Sequence, residues 1–205
     1  MEIFINQLES IPLKEIATFI LSVVGLIIAG MGLATWKKQI RGSKQFETAY
    51  NLHYSVLKLR DAIKHVRNPA IFPSETQRAV QYSKNKYPDR SPEDIENKAN
   101  VYVYEMRWEE IARASTELES HLLSAEVLWG PEVLKLIKPL NKKVTELNIN
   151  LGQYFNKNLR TKDYMKIHDV VYDQSDPTVG TEDKFSGEVS EAVKGITDYV
   201  RNKMA

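Results

Sequence analysis

The pattern of hydrophobic and polar positions changes character once along this chain, near residue 37. From Ile16 to Trp36 it reads IATFILSVVGLIIAGMGLATW, with no charged residue and only Thr18, Ser22 and Thr35 as hydroxyls. At about 1.5 Å of rise per residue, such a helix is some 30 Å long, the thickness of a bilayer's hydrocarbon core. Its backbone groups are all bonded internally, so lipid is a tolerable solvent for it. The stretch predicts one transmembrane helix over 16–36, preceded by a short extracytoplasmic segment, 1–15. A secretory signal would open on basic residues and carry a shorter apolar run. Here Glu2 and Glu9 come first.

Beyond residue 37 the apolar positions return at helical spacing. Ala49, Leu52, Val56, Leu59, Ile63 and Val66 alternate steps of three and four, a coiled-coil-like stripe ending at Asn68-Pro69. Gly42 and Ser43 stand between stripe and span and predict a bend there. Ser91 and Pro92 read as N-cap and first turn of the clearest helix, predicted to run without a break to Trp129 and stop at Gly130-Pro131. A further helix starts at Pro131 with Val133, Ile137, Leu140, Val144, Leu147 and Leu151 on one face, and Pro139 inside it predicts a kink or break. After a short amphipathic piece, KDYMKIHDVVY, come a polar linker over 173–183 and a last amphipathic helix over 184–205. The predicted fold is mainly α: a single N-terminal transmembrane helix followed by a cytoplasmic antiparallel helical bundle over 37–172.

Composition removes several alternatives. The 205 residues contain no cysteine, which excludes disulfides, thiolate metal sites and cysteine nucleophiles. Lys plus Arg number 28 against 27 for Asp plus Glu, without the basic surplus of a nucleic-acid binder, so no nucleic acid is expected as a partner. Mean hydropathy is −0.39 even with the span included, so the remainder is clearly hydrophilic.

Local charge says more than net charge. Lys37, Lys38, Arg41 and Lys44 follow the span and only Lys14 precedes it. The positive-inside rule therefore predicts the C-terminal domain in the cytoplasm and the N-terminus outside; the small, simple architecture suggests a cell (inner) membrane of bacterial type. Trp36, Lys37, Lys38, Arg41 and Lys44 are the expected contacts to lipid headgroups, each cation near the surface gaining about 1 kcal/mol from anionic lipid. Lys58, Arg60, Lys64 and Arg67 lie farther on, and the long helix from Ser91 is acidic, with Glu93, Asp94, Glu96, Glu105, Glu109, Glu110, Glu117, Glu119 and Glu126. Either the two helices pack with complementary flanks, or the four cations form an anion-binding face.

Within the span, Thr18, Ser22, Gly25, Ala29 and Gly32 fall on one face about 80° wide at 100° per residue. Gly25-x-x-x-Ala29 and Gly30-x-x-x-Ala34 are small-xxx-small pairs, which let two membrane helices approach closely. This predicts pairing with a second copy or with another membrane protein.

No catalytic motif stands out. His53, His65, His121 and His168 are scattered; Asp61 and His65, and Glu117 and His121, are four apart but read as hydrogen-bonded neighbours rather than ligands. No phosphate-cradling glycine loop or nucleophile elbow is present. The sequence predicts no cofactor, no metal and no enzymatic activity. It predicts instead a membrane-anchored interaction or sensing module with a cytoplasmic protein partner. The rival expectations are an effector that perturbs the bilayer when its spans cluster, and a ligand-binding or enzymatic bundle.

Overall fold

The computed structural model describes residues 13–155, 161–176, 178 and 180–204. Most of the predicted segment 1–15 therefore lies outside the described residues. The protein is mainly helical, with helices α1 (Leu13–Arg67), α2 (Pro73–Lys86), α3 (Pro92–Asn97), α4 (Ala99–Trp129), α5 (Glu132–Tyr154), α6 (Thr161–Val171) and α7 (Lys184–Met204). Among the described residues there is no strand, only an isolated bridge between Asp176 and Thr181. Contacts divide the chain into two units, one up to Gln45 and one from Phe46.

In the first unit, one helix is long and apolar enough to cross a membrane by length and composition, with a mean hydropathy of 2.4 over its most apolar window. None of that window is buried, and Leu26 is 74% exposed. Its hydroxyls turn back on the helix: Thr18 Oγ1 donates to the Lys14 carbonyl at 2.7 Å and Ser22 Oγ to the Thr18 carbonyl at 2.8 Å. They present no unmet polar group to their surroundings.

α1 is helical through Gly42 and Ser43, the pair that stands between span and stripe. One glycine inside a helix costs only about 1 kcal/mol, and helix formers on both sides carry the ladder across it.

The second unit is built on the predicted stripes. Leu52, Val56, Leu59 and Ile63 of α1 are buried against Ile111 and Leu118 of α4, Ile137, Leu140 and Leu147 of α5, and Val189, Ile196 and Val200 of α7. Ile167 and Val171 of α6 join the same core. Lys58 meets Glu117 and His65 meets Glu110, so α4 runs antiparallel to α1. His53 meets Thr197 and Arg67 meets Ser186, so α7 does too.

One joint differs from expectation. The helix predicted from Ser91 to Trp129 is interrupted at Lys98, whose φ of −108° and ψ of 13° separate α3 from α4. The Ser91 cap forms as predicted, its side chain accepting from the Asp94 amide at 3.1 Å. The interruption leaves Ile95 in a small second core with Ala79, Tyr102 and Val103, so packing against α2 overrides helix continuity. Conversely, α5 is not broken at Pro139. That proline is exposed, and the carbonyl it leaves without a helical donor belongs to Lys135, also exposed, where water serves. At the far end of α4, Gly130 adopts φ +82°, a conformation that favours glycine, and closes the helix with its amide on the Glu126 carbonyl at 2.8 Å.

Candidate functional site

Two arginines are among the largest fully buried side chains, each 1% exposed. A buried guanidinium is tolerable only when its nitrogens find acceptors. All three nitrogens of each arginine do, and both guanidinia lie at the end of α1.

Arg67 is the last residue of α1. Its Nε donates to the Val170 carbonyl at 2.7 Å and its Nη1 to Ser186 Oγ at 2.6 Å. Its Nη2 reaches the carbonyls of Asp169 at 3.0 Å and Tyr172 at 2.8 Å and the Asp183 carboxylate at 3.0 Å. The Phe185 ring lies 4.5 Å below the guanidinium. The carbonyls are those left open where α6 ends, so Arg67 caps one helix and ties it to the start of the next. Asp183 in turn caps α7, accepting from the Ser186 amide at 2.8 Å. Burial alone would raise the Asp183 pKa; the amides of Ser186 and Gln174 and the charge of Arg67 outweigh it and bring it down to about 2.

Arg107 comes from the middle of α4. Its Nε and Nη2 hold the Glu75 carboxylate at 3.0 and 2.9 Å, a bidentate pair. Nη1 donates to the Asn68 carbonyl and Nη2 also to the Ala70 carbonyl, both at 2.7 Å. Glu75 also accepts from the Phe72 amide at 3.2 Å, fixing the entry to α2. Arg107 holds the Glu75 pKa down at about 2, against burial and with help from that amide. His65 sits beside this pair, Nδ1 2.8 Å from Glu110 and Nε2 3.4 Å from Glu75.

Of the four cations predicted as an anion-binding face, Lys58 stands apart from the other three. Lys58 pairs with Glu117 at 2.6 Å across the α1–α4 seam, and Arg60 with Asp61 beside it at 2.7 Å. Arg67 is buried. Lys64 is exposed. Arg60, Lys64 and Arg67 do line one cleft of about 760 Å³. Its other wall holds Asp173, Asp176 and Glu182, so the positive charge there is matched by acid.

Glu75 and Arg107 were not singled out from the sequence. The signal for Arg107 was present: it falls in step with Tyr104, Ile111, Ala114 and Leu118, a cation inside an apolar stripe. Of the predicted histidine pairs, His65 turns to Glu110 and Glu75 rather than to Asp61, and Glu117 to Lys58 rather than to His121. Among the described residues no cluster of three or more His, Asp or Glu side chains is placed to hold a metal.

The predicted pairing face in the first unit is open. Thr18, Ser22, Gly25, Ala29 and Gly32 are all exposed, and a Cβ built on Gly25 or Gly32 meets nothing within 4 Å. Trp36, Lys37, Lys38, Arg41 and Lys44 are exposed as well, and Lys44 has an interaction within the chain.

Fold and site together define a mainly helical protein with one long apolar helix near its N-terminus and a bundle locked by two buried arginines. Comparison with protein-family models, with curated proteins and with solved structures gives no match.

Proposed function

We propose that this chain is a non-enzymatic, single-pass membrane protein whose helical domain recruits or responds to a protein partner in the cytoplasm. The observation that carries the proposal is the apolar stretch of α1, which stays exposed on every side. A helix that is hydrophobic all round needs an apolar solvent or a ring of other helices. The basic run from Lys37 to Lys44 supports the orientation with the domain inside. The buried arginines support a structural role for the polar groups of the bundle, since their donors are spent on carbonyls and carboxylates of the same chain.

Alkaline extraction of membranes from expressing cells tests the anchor: the chain is expected to stay in the pellet, and release into the supernatant overturns the reading. Crosslinking in intact cells tests the partner. A domain from Lys44 onward that is strictly monomeric and captures nothing specific ends the interaction reading.

A second reading is favoured by the open surface at Gly25 and Gly32: an effector whose clustered spans perturb the bilayer. It predicts collapse of membrane potential on overexpression, abolished in Gly25→Leu. An undisturbed potential counts against it.

A further inference from the structure

Three tyrosines of the second unit meet where α6 packs on the end of α5. Tyr154, the last residue of α5, has the rings of Tyr164 and Tyr172 at centroid distances of 5.7 and 5.4 Å. Their hydroxyls form a directed chain. Tyr172 donates to Tyr154 at 3.2 Å, which leaves the Tyr154 proton for Tyr164, also at 3.2 Å. Tyr164 is 39% exposed, so the chain empties into water. Burial raises the Tyr172 pKa to about 12 and moves that of Tyr154 the same way, while the bond from Tyr154 raises that of Tyr164. All three are neutral phenols at physiological pH, so an electron leaves this group together with a proton.

We propose that Tyr154 and Tyr164 are an oxidative modification site, at which a one-electron oxidant joins the two rings through carbons ortho to their hydroxyls. Two observations select this pair. Its hydroxyls touch and its rings are tilted by only 31°, so the ortho carbons flanking each oxygen share the contact. It also reaches solvent, whereas Tyr172, bonded to Tyr154 as well, stands edge-on at 89° and is part-buried. Other neighbouring tyrosines are held differently. Tyr50 and Tyr54 stack face to face, and Tyr87 and Tyr102 are bonded to Glu105 and Arg90. In the reaction, one oxidising equivalent takes an electron from Tyr164, whose proton goes to water. A second does the same at Tyr154. The two phenoxyl radicals form one carbon–carbon bond, and the hydrogen on each joined carbon moves to the neighbouring oxygen, restoring two phenols. The oxidant is hydrogen peroxide acting through a haem peroxidase; it takes up the two electrons and two protons and leaves as two waters. The product ties α5 to α6 and constrains the unfolded chain as a disulfide would, in a protein that holds no cysteine. The inference is independent of the membrane reading.

The test treats the full chain, in micelles, with a haem peroxidase and hydrogen peroxide. Dityrosine fluorescence is expected, together with the loss of two hydrogen atoms from the mass of a single chain. Peptide mapping is expected to place the link between residues 154 and 164. Tyr164→Phe removes one exposed hydroxyl and is expected to keep the helical spectrum while losing the link; Tyr50→Phe is expected to retain it. Peroxide alone oxidises exposed methionine, and Met165 is 62% exposed. That treatment is expected to give the Met165 sulfoxide and no link, and a link formed under it overturns the one-electron route. Tyr50 and Tyr54 are the sharper control, since they are 55% and 49% exposed. If the link maps to them, or joins separate chains in place of residues 154 and 164, exposure governs and the proposal fails. It fails equally if no link forms, or if the fluorescence is undiminished in Tyr164→Phe.

Discussion

The two units of this protein invert the usual rule in opposite directions. The first exposes leucine; the second buries arginine. Leu21, Leu26 and Leu33 stand more than half exposed on α1, whereas Arg67 and Arg107 are sealed inside the bundle. The difference teaches that burial follows from what surrounds a side chain, not from its type. A helix apolar all round gains nothing from turning any one face inward. A guanidinium whose three nitrogens all find acceptors within the chain has replaced the water it leaves.

This contrast can be broken experimentally. The largest effect is expected from Arg107→Leu. It leaves the Glu75 charge buried without its partner and two carbonyls open, at a cost of about 3–5 kcal/mol. Thermal unfolding of the full chain in micelles measures this loss, and adding Glu75→Leu should recover much of it. Full recovery in the double variant would show that the pair is replaceable packing. No loss in the single variant would contradict the buried pair.

Leucine separates the units next. Leu59→Ala in the core is expected to cost about 2–5 kcal/mol. Leu26→Ala, on an exposed surface, should leave the same unfolding transition within about 0.5 kcal/mol. Equal effects would dissolve the distinction between the units.

Acid should act on the second unit through the carboxylates its arginines hold. The Glu75 pKa is about 2 in the folded chain against an ordinary 4.5. Between those values the unfolded chain takes up the proton first, so stability is fully present above pH 4.5 and is lost as pH falls toward 2. Glu75 alone accounts for about 3 kcal/mol of this. Asp183, lowered from 3.8 to about 2, adds to the same window. Stability measured against pH should slope less steeply in Glu75→Gln. An unchanged slope would remove Glu75 from the acid response.

The smallest effect belongs to Ser91→Ala. It removes the cap of the six-residue α3 and should cost about 1 kcal/mol. Hydrogen exchange is expected to quicken around residues 92–98 and nowhere else.

How much of this was legible in the sequence depends on distance along the chain. The stripe from Leu52 to Val66 and the line from Val133 to Leu151 place core faces correctly, because helical period is a local property. The Ser91 cap was legible for the same reason. Lys98 was not, since what interrupts the helix is Ile95 packing beside Ala79 on another element. Pro139 does not end α5, because the carbonyl it leaves without a helical donor belongs to exposed Lys135. Arg67 looked like one of four surface cations, yet its partners lie 102 to 119 residues away. Spacing shows that a position is buried; it does not show which distant carbonyl will receive a guanidinium.

The antiparallel contacts of α1 with α7 have a kinetic consequence. His53 and Thr197 are 144 positions apart, and Arg67 and Ser186 are 119 apart. A helix such as α1 forms in microseconds from local contacts, whereas closing loops of this length comes later because chain entropy is lost before the contacts repay it. During that interval the apolar edge from Leu52 to Ile63 is already ordered but has no α7 against it. Newly made copies at high local concentration then have a window in which that edge can join a neighbour's α7 instead of their own. Arg67, whose bonds form only when α6 and α7 have both arrived, makes the correct closure the one that is hard to reopen.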